Sequence, residues 1–181
     1  MFPDHSLMPK EALRLAALGM LAERPMTYGD LARAVRDFVD HIMGPSPEAM
    51  GSSLELLRLE GLIGLGDAAG RPEALTLTAK GHGEFVNLML ATVRAPFNDL
   101  NKLVVALKLR FLALLPVEGR RDQTALLIEA CRVELARLLD LRGREADQQG
   151  ASRGPFLDWL DHDIAQAQAR LSWFETLSGR L

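Results

Sequence analysis

Residues 47–60 carry side chains whose types and spacing could contact a nucleic acid. Ser52 and Ser53 can hydrogen-bond to phosphates or base edges, and Arg58 can reach a phosphodiester backbone. Gly51 removes bulk at the point where a duplex would approach. These residue types therefore predict a DNA contact, although they also suit a solvated helix face with no nucleic-acid role.

The same segment has the pattern of a short helix. Ser46 is a good N-cap, and Pro47 is favoured at the first helical position, where no N–H is needed. Apolar residues follow at i, i+4 and i+7 spacing, and they are Met50, Leu54 and Leu57. Gly61 can adopt the left-handed conformation that ends a helix. The sequence therefore predicts a helix over residues 47–60 with one apolar face.

A β-hairpin is predicted directly after this helix. Residues 62–63 and 75–77 form apolar runs that are too short for helices, and the glycine-rich residues 66–72 separate them. The hairpin therefore has a long tip, and the residues around it, 64–73, form the predicted wing.

Two helices are predicted before residue 44. The first spans residues 9–22, and the second is opened by a capping box in which Thr27 pairs with Asp30. The second helix has an apolar stripe that is typical of a helix packed on a core. The order helix, helix, helix, strand, strand is that of a winged helix-turn-helix, which indicates nucleic-acid recognition.

The rest of the chain is predicted to be helical. The four further helices cover residues 78–94, 97–115, 122–141 and 156–177, and Thr78 can cap the first of them. The second of these is apolar on nearly every side, which indicates burial all round. The segment near 142–155 is polar, contains glycine and lacks periodicity, so it is predicted to be a flexible loop.

The last helix has a heptad pattern that predicts packing against another helix. The apolar positions proposed for dimerisation are Leu157, Leu160, Ile164, Leu171 and Phe174. The same residues could instead pack within the chain against residues 128–138. In that case the apolar helix of residues 97–115 remains available for a dimer, because two apolar helices and a seam exceed what a small winged helix can cover.

Several motifs resemble the PadR family of bacterial transcription regulators, over nearly the whole chain. They are LRLAALGMLAERPMTYGDLARAV at 13–35, GPSPEAMGSSLELLRLEGLI at 44–63, Leu77-Thr78 with Gly81, KLRFLALLP at 108–116, and LDHDIAQAQARLSWFETL at 160–177. The last two are similar to the branch of the family with the longer helical C-terminal domain. The order and spacing of the motifs carry this resemblance.

The resemblance implies a mainly α protein with two domains. Residues 1–80 would form a winged helix-turn-helix of three helices and a two-stranded wing, and residues 81–181 a helical dimerisation domain. The implied function is that of a homodimeric regulator, a repressor, which contacts double-stranded DNA with helix 47–60 and wing 64–73. The candidate DNA-binding residues are Tyr28, Gly51, Ser52, Ser53, Arg58 and Arg71.

The charge distribution and three departures from the family pattern support an alternative function. The net charge is −3, and residues 1–80 contain 8 Lys and Arg against 11 Asp and Glu, whereas many DNA-binding modules are basic. Gly51, Glu55 and Leu56 stand where the family usually has a tyrosine and basic residues. The alternative is therefore a winged-helix adaptor, or a partner that sequesters another regulator, which no longer binds DNA.

Enzymatic chemistry is not predicted. Residues 64–69 match G-x-G-x-x-G/A, but that motif needs a helix starting inside it, and Pro72 interrupts such a helix. The four histidines lack metal-ligand spacing, and Cys131 lies on an apolar stripe typical of a core. Neither a nucleophile elbow nor a pair of catalytic carboxylates is recognisable. The sequence thus predicts no enzyme, no cofactor and no metal.

Aromatic residues in the second half suggest a small aromatic effector. Phe97, Trp159 and Trp173 could line a pocket between the winged helix and the C-terminal helices, where some PadR-family members bind planar effectors. The alternative is that these rings belong to the core or to a dimer seam. An effector bound there could shift the angle between two winged helices.

The location of the protein is predicted from what the sequence lacks. The N-terminus has neither the basic start nor the apolar segment of a signal peptide, and no stretch approaches the length of a membrane span. A single cysteine, Cys131, excludes an internal disulfide. We therefore expect a cytoplasmic protein without a membrane partner.

Overall fold

A computed structural model describes residues 9–43, 51–68, 71–93, 99–146 and 154–181. The helices are α1 (Pro9–Glu23), α2 (Tyr28–Met43), α3 (Gly51–Leu59), α4 (Ala79–Leu90), α5 (Asp99–Arg110), α6 (Val117–Ala146) and α7 (Gly154–Ser178), with a 3₁₀ turn at Leu112–Leu114. The strands are β1 (Ile63–Ala68) and β2 (Arg71–Leu77), which pair antiparallel. The prediction of a mainly α winged helix followed by further helices is confirmed.

Two threonine caps begin α2 and α4 as predicted. The Asp30 amide donates to Thr27 Oγ1 at 3.2 Å, and the Thr27 hydroxyl donates to Asp30 Oδ2 at 2.8 Å. At the start of α4, Thr78 Oγ1 accepts from the Gly81 amide at 3.0 Å. Gly61 has φ +71°, the left-handed conformation expected at the end of α3. The predicted cap at residues 46–47 lies outside the described residues.

The wing is a longer ribbon than predicted. Paired residues run from Ile63 opposite Leu77 to Ala68 opposite Arg71, with a bulge after Gly66. The prediction of a loop over residues 66–72 is therefore wrong for residues 66–68 and 71–72, and residues 69–70 lie outside the described residues. Antiparallel pairing satisfies backbone N–H and C=O groups that a long loop would leave to water, and pairing therefore continues toward the tip.

A single hydrophobic core links the winged helix to the helices that follow it. Helix α1 is its centre, with Leu15 and Leu18 fully buried against Phe85 of α4 and Phe111 after α5. The ring of Phe111 occupies the space beside Gly19. A Cβ atom added to Gly19 would be only 2.2 Å from Cε2 of that ring. The close contact of α1 with Phe111 therefore depends on glycine at that position.

The C-terminal helices differ from the prediction at their ends. Helix α5 stops at Arg110 and gives way to the 3₁₀ turn, so residues 97–115 are not one helix. Helix α6 continues to Ala146 and α7 starts at Gly154, so the predicted loop at 142–155 is wrong at both ends. Ion pairs support the polar end of α6, with Arg142 bound to Asp161 of α7 at 2.8 Å. Lack of apolar periodicity could not distinguish this solvated helix end from a loop.

The described helices are not of the membrane-spanning kind. None of them combines the length and the apolar character that crossing a bilayer requires.

Candidate nucleic-acid interface

Helix α3 is held to the winged-helix core along one face. Leu54 and Leu57 point into the core and are almost fully buried. At the C-terminal end of α3, Arg14 of α1 forms two contacts of 2.9 Å with the carboxylate of Glu60. Arg14 also contacts Glu84 of α4 at 3.2 Å. Three helices are thus tied together at one point, which fixes the direction of α3.

The opposite face of α3 is exposed. With about 100° between successive residues of a helix, Leu59 lies within about 10° of the direction opposite to the buried Leu54 and Leu57, and Glu55 and Leu56 flank it. Leu59 is 76% exposed and Leu56 is 48% exposed. The surface that α3 offers to a partner is therefore formed by one carboxylate and two leucines among the described side chains.

Arg58 lies beside this face and is engaged in an ion pair. Its Nε is 3.5 Å from Glu55 Oε1, and both side chains are about half exposed. An exposed pair of this kind is weak and can open when a phosphate competes for the guanidinium. The side chain is therefore within reach of a duplex, but its charge is balanced in the free protein.

The remaining predicted DNA-binding residues lie on the same winged helix. Gly51, Ser52 and Ser53 form the first turn of α3, and Arg71 is the first residue of β2. Tyr28 is the first residue of α2 and is 42% exposed. The fold therefore carries all six candidates on elements of the winged helix, and their contact with DNA stays a prediction.

Sequence reasoning did not identify three exposed leucines as candidate contacts. They are Leu56 and Leu59 on α3 and Leu65 on β1, which is 65% exposed. A helical projection from the buried Leu54 and Leu57 would have found the first two, because residues 55, 56 and 59 must lie opposite. The strand position of Leu65 depended on the length of the ribbon, which the sequence did not reveal.

A buried lysine joins the winged helix to the later helices. Lys108 of α5 is fully buried, and its Nζ donates to the carbonyls of Ala91 at 2.7 Å, Leu88 at 3.3 Å and Met89, at the end of α4. It also donates to Gln123 Oε1 of α6 at 3.1 Å. Burial lowers the pKa of Lys108 to about 7. Nothing in the sequence singled out this contact.

The predicted aromatic pocket is not assembled by the described residues. Trp159 and Trp173 are 53% and 52% exposed on α7, about four turns apart, so they cannot line one small pocket in one chain. Phe97 lies outside the described residues. An open cleft of about 500 Å³ lies elsewhere, between α1, β2, α4 and the 3₁₀ turn. Its lining includes Leu21, Phe85, Leu114 and His82.

The predicted dimer seam of α7 packs within the chain. Leu160 and Ile164 are buried against Leu138 of α6, and Phe174 is buried in the main core. Leu157 and Leu171 are partly buried beside them. The alternative of intramolecular packing therefore describes these five residues, because α6 already occupies the seam.

Metal binding has no candidate among the described residues. Within the five described ranges, no three His, Cys, Asp or Glu side chains are grouped to hold an ion. Cys131 is buried, and burial raises the pKa of its thiol.

A family of transcription regulators accounts for the sequence almost from end to end. The sequence model of the AphA-like transcriptional regulators matches residues 2–178. The chain belongs to this family, which is PadR-like, and its members are DNA-binding proteins rather than enzymes. The predicted family and the predicted class of transcription regulator are thereby confirmed. No curated protein matches the sequence.

Solved structures of PadR from Bacillus subtilis are similar to the chain. One is 18% identical, covers 97% of both chains and has a TM-score of 0.39. The same protein in complex with p-coumaric acid is 17% identical, with 97% of this chain and 98% of that chain covered and a TM-score of 0.40. Its complex with operator DNA is 18% identical, with coverages of 93% and 98% and a TM-score of 0.37.

Proposed function

We propose that the chain is a cytoplasmic, homodimeric repressor that contacts operator DNA with helix 47–60 and wing 64–73. The observation that carries this proposal is the presentation of α3, which is buried on one face, fixed at its end by Arg14 and exposed on the opposite face. A helix held in this way can enter a major groove without rearrangement. Residues 1–80 act as the DNA-binding domain and residues 81–181 as the dimerisation domain.

The outer face of α6 and α7 is the surface that we propose for the dimer. Since the inner seam is filled within the chain, a second copy must use side chains that remain exposed. The described large apolar residues that are exposed on these helices are Val117, Val133, Leu139, Phe156, Trp159 and Trp173. The rings of Phe156 and Trp159 stack with 5.8 Å between their centroids. A two-fold dimer would place two α3 helices about one turn of DNA apart.

Binding to the DNA upstream of its own gene tests the proposal. The full chain is titrated against that duplex at low salt, with a shuffled duplex as control, and protected bases are mapped by footprinting. Arg58→Ala and Arg71→Ala should each weaken binding. For each phosphate contact removed, the slope of log affinity against log salt concentration should become less steep by about one. An exposed arginine on another element supplies the matched control, Arg132→Ala on α6. A protein that protects no bases would contradict the proposal.

A winged-helix adaptor is the second candidate function. It is favoured by the outer face of α3, where Glu55 and two exposed leucines replace the basic residues expected for DNA. Salt separates the two functions, because phosphate contacts make log affinity fall with log salt concentration. An adaptor would copurify with a defined protein and lose it when Leu59→Glu is introduced, without binding any duplex.

A small aromatic effector is a further part of the proposal. The cleft of about 500 Å³ lies where the winged helix meets the later helices, so a ligand there could alter how the DNA-binding helices are presented. Phenolic acids are titrated into the full chain, and binding is measured by isothermal titration calorimetry. A response that is lost in Ala79→Phe, which adds bulk at an exposed residue of the lining, would support this cleft, and no response to any phenolic compound would count against an effector.

A further inference from the structure

On the outer face of α3, the described side chains lack the chemistry that phosphates require. These side chains are Glu55, Leu56 and Leu59, of which none is a cation, and the nearby Arg58 is paired with Glu55 at 3.5 Å. A carboxylate facing the sugar-phosphate backbone would be repelled. If Glu55, Leu56 and Leu59 meet a duplex, they must therefore meet base edges in the groove.

Base edges in the major groove offer one apolar group. Thymine alone among the four bases carries a methyl group there, at C5, and apolar side chains contact it. Leu56 and Leu59 are three residues apart and lie on the same side of the helix, so they can contact neighbouring bases. Both are held out from the core by the burial of Leu54 and Leu57 on the other side.

We propose that Leu56 and Leu59 recognise the 5-methyl groups of thymines in the operator half-site. This inference rests on the proposed function and specifies how the same face of α3 selects a sequence. Methyl contacts are insensitive to salt, unlike phosphate contacts, and so they add sequence preference rather than general affinity. Operators of this protein should therefore contain thymines at the positions that face α3.

Replacement of thymine by deoxyuridine removes only the methyl group and tests the proposal directly. Duplexes that bind the full chain are first selected from a random pool. Each thymine of the selected site is then replaced singly by deoxyuridine, and affinity is measured by fluorescence anisotropy. At a contacted position, we expect affinity to fall about fourfold, as for the loss of one buried methyl-sized group.

The leucine variants show whether the lost methyl group contacted α3. In Leu56→Ala or Leu59→Ala, the thymine duplex and its deoxyuridine counterpart should bind equally well at the position that the leucine contacts. Leu90→Ala is the matched control, since Leu90 is an exposed leucine at the end of α4. This control should keep the full sensitivity to deoxyuridine.

Two negative outcomes are distinguishable. If a selected duplex binds tightly and no deoxyuridine replacement changes its affinity, methyl recognition is wrong while DNA binding stands. If selection enriches no duplex at all, methyl recognition and the proposed function both fall.

Discussion

Lys108 is a buried cation whose described partners are neutral oxygens. Its ammonium group lies among the carbonyls that end α4, which is a favourable place for a cation because those carbonyls lack helical partners. Burial acts in the opposite direction and lowers the pKa of Lys108 to about 7. Lys108 thus connects α4, α5 and α6, and its pKa lies close to neutral pH.

The pKa of Lys108 predicts a pH-dependent stability. The pKa of Lys108 is about 7 in the folded chain and 10.5 in the unfolded chain. Between these two pH values, the unfolded state therefore binds one more proton than the folded state. The free energy of unfolding should therefore rise with pH across this window, by up to about 1.4 kcal/mol per pH unit. Urea denaturation of the wild type and of Lys108→Met is compared from pH 7 to 10. Equal slopes for the two proteins would contradict the prediction.

Gly19 provides a second test at a single residue. A methyl group at this position would overlap the ring of Phe111, so Gly19→Ala should lower the free energy of unfolding by about 1–3 kcal/mol. Gly83 is the control, because it also lies inside a helix but a Cβ there meets nothing within 4 Å. Gly83→Ala should stabilise the protein by about 0.5–1 kcal/mol, as expected for alanine in a helix. Chemical denaturation measures both, and effects of the same sign would contradict the packing described.

At the scale of elements, α3 depends on contacts that are distant in sequence. Arg14 links α1 to Glu60 just after α3 and to Glu84 of α4, and Lys80 donates to the Glu60 carbonyl at 2.7 Å. These ties act at the end of α3 next to Gly61, where the chain turns into β1. The direction of the candidate DNA-binding helix is therefore set by α1 and α4 rather than by α3 itself.

Loss of the Arg14 contacts should destabilise the winged helix. Arg14→Met keeps the apolar stem and removes three charge-assisted contacts of a partly buried group, with an expected cost of about 1 kcal/mol after allowance for solvent. The exposed ion pair of Arg33 with Asp30 is the control, and Arg33→Met should cost less than about 0.5 kcal/mol. Urea denaturation gives both values, and a cost no larger than that of the control would contradict this account.

At the scale of the whole molecule, the two predicted domains share one core. Helix α1 packs against α4 and against the region after α5, so the winged helix is not closed off by residue 80. A shared core provides continuous side-chain packing between the later helices and α1. This arrangement suits a regulator in which effector binding or dimer formation alters the presentation of α3.

The exposed tryptophans of α7 provide a test of the proposed dimer interface. If Trp159 and Trp173 lie in the dimer interface, Trp159→Glu and Trp173→Glu should convert dimers to monomers with little loss of stability, because both rings are about half exposed in one chain. Sedimentation of the variants and of the control Gln168→Glu measures the mass. A wild-type monomer, or variants that stay dimeric, would show that this surface is not the interface.

Local chemistry explains what could be predicted. Caps at Thr27 and Thr78 and the turn at Gly61 were predicted correctly, because hydrogen bonds to neighbouring backbone groups define them within a few residues. The apolar positions likewise identified the buried faces of α3 and α7. The polar end of α6 was missed, because its contact with α7 is the ion pair of Arg142 with Asp161, which apolar periodicity does not reveal.

By itself, the sequence determined the order of the elements, the buried face of α3 and the family to which the chain belongs, since each depends on residue types at fixed spacing. Only the tertiary structure decided what covers each apolar face. It placed α6 on the seam of α7, the carbonyls of α4 around Lys108, and the carboxylates of Glu60 and Glu84 around Arg14. The physical reason is that helical periodicity states which side of an element avoids water, but the partner that provides this cover is selected by contacts between residues far apart in the chain.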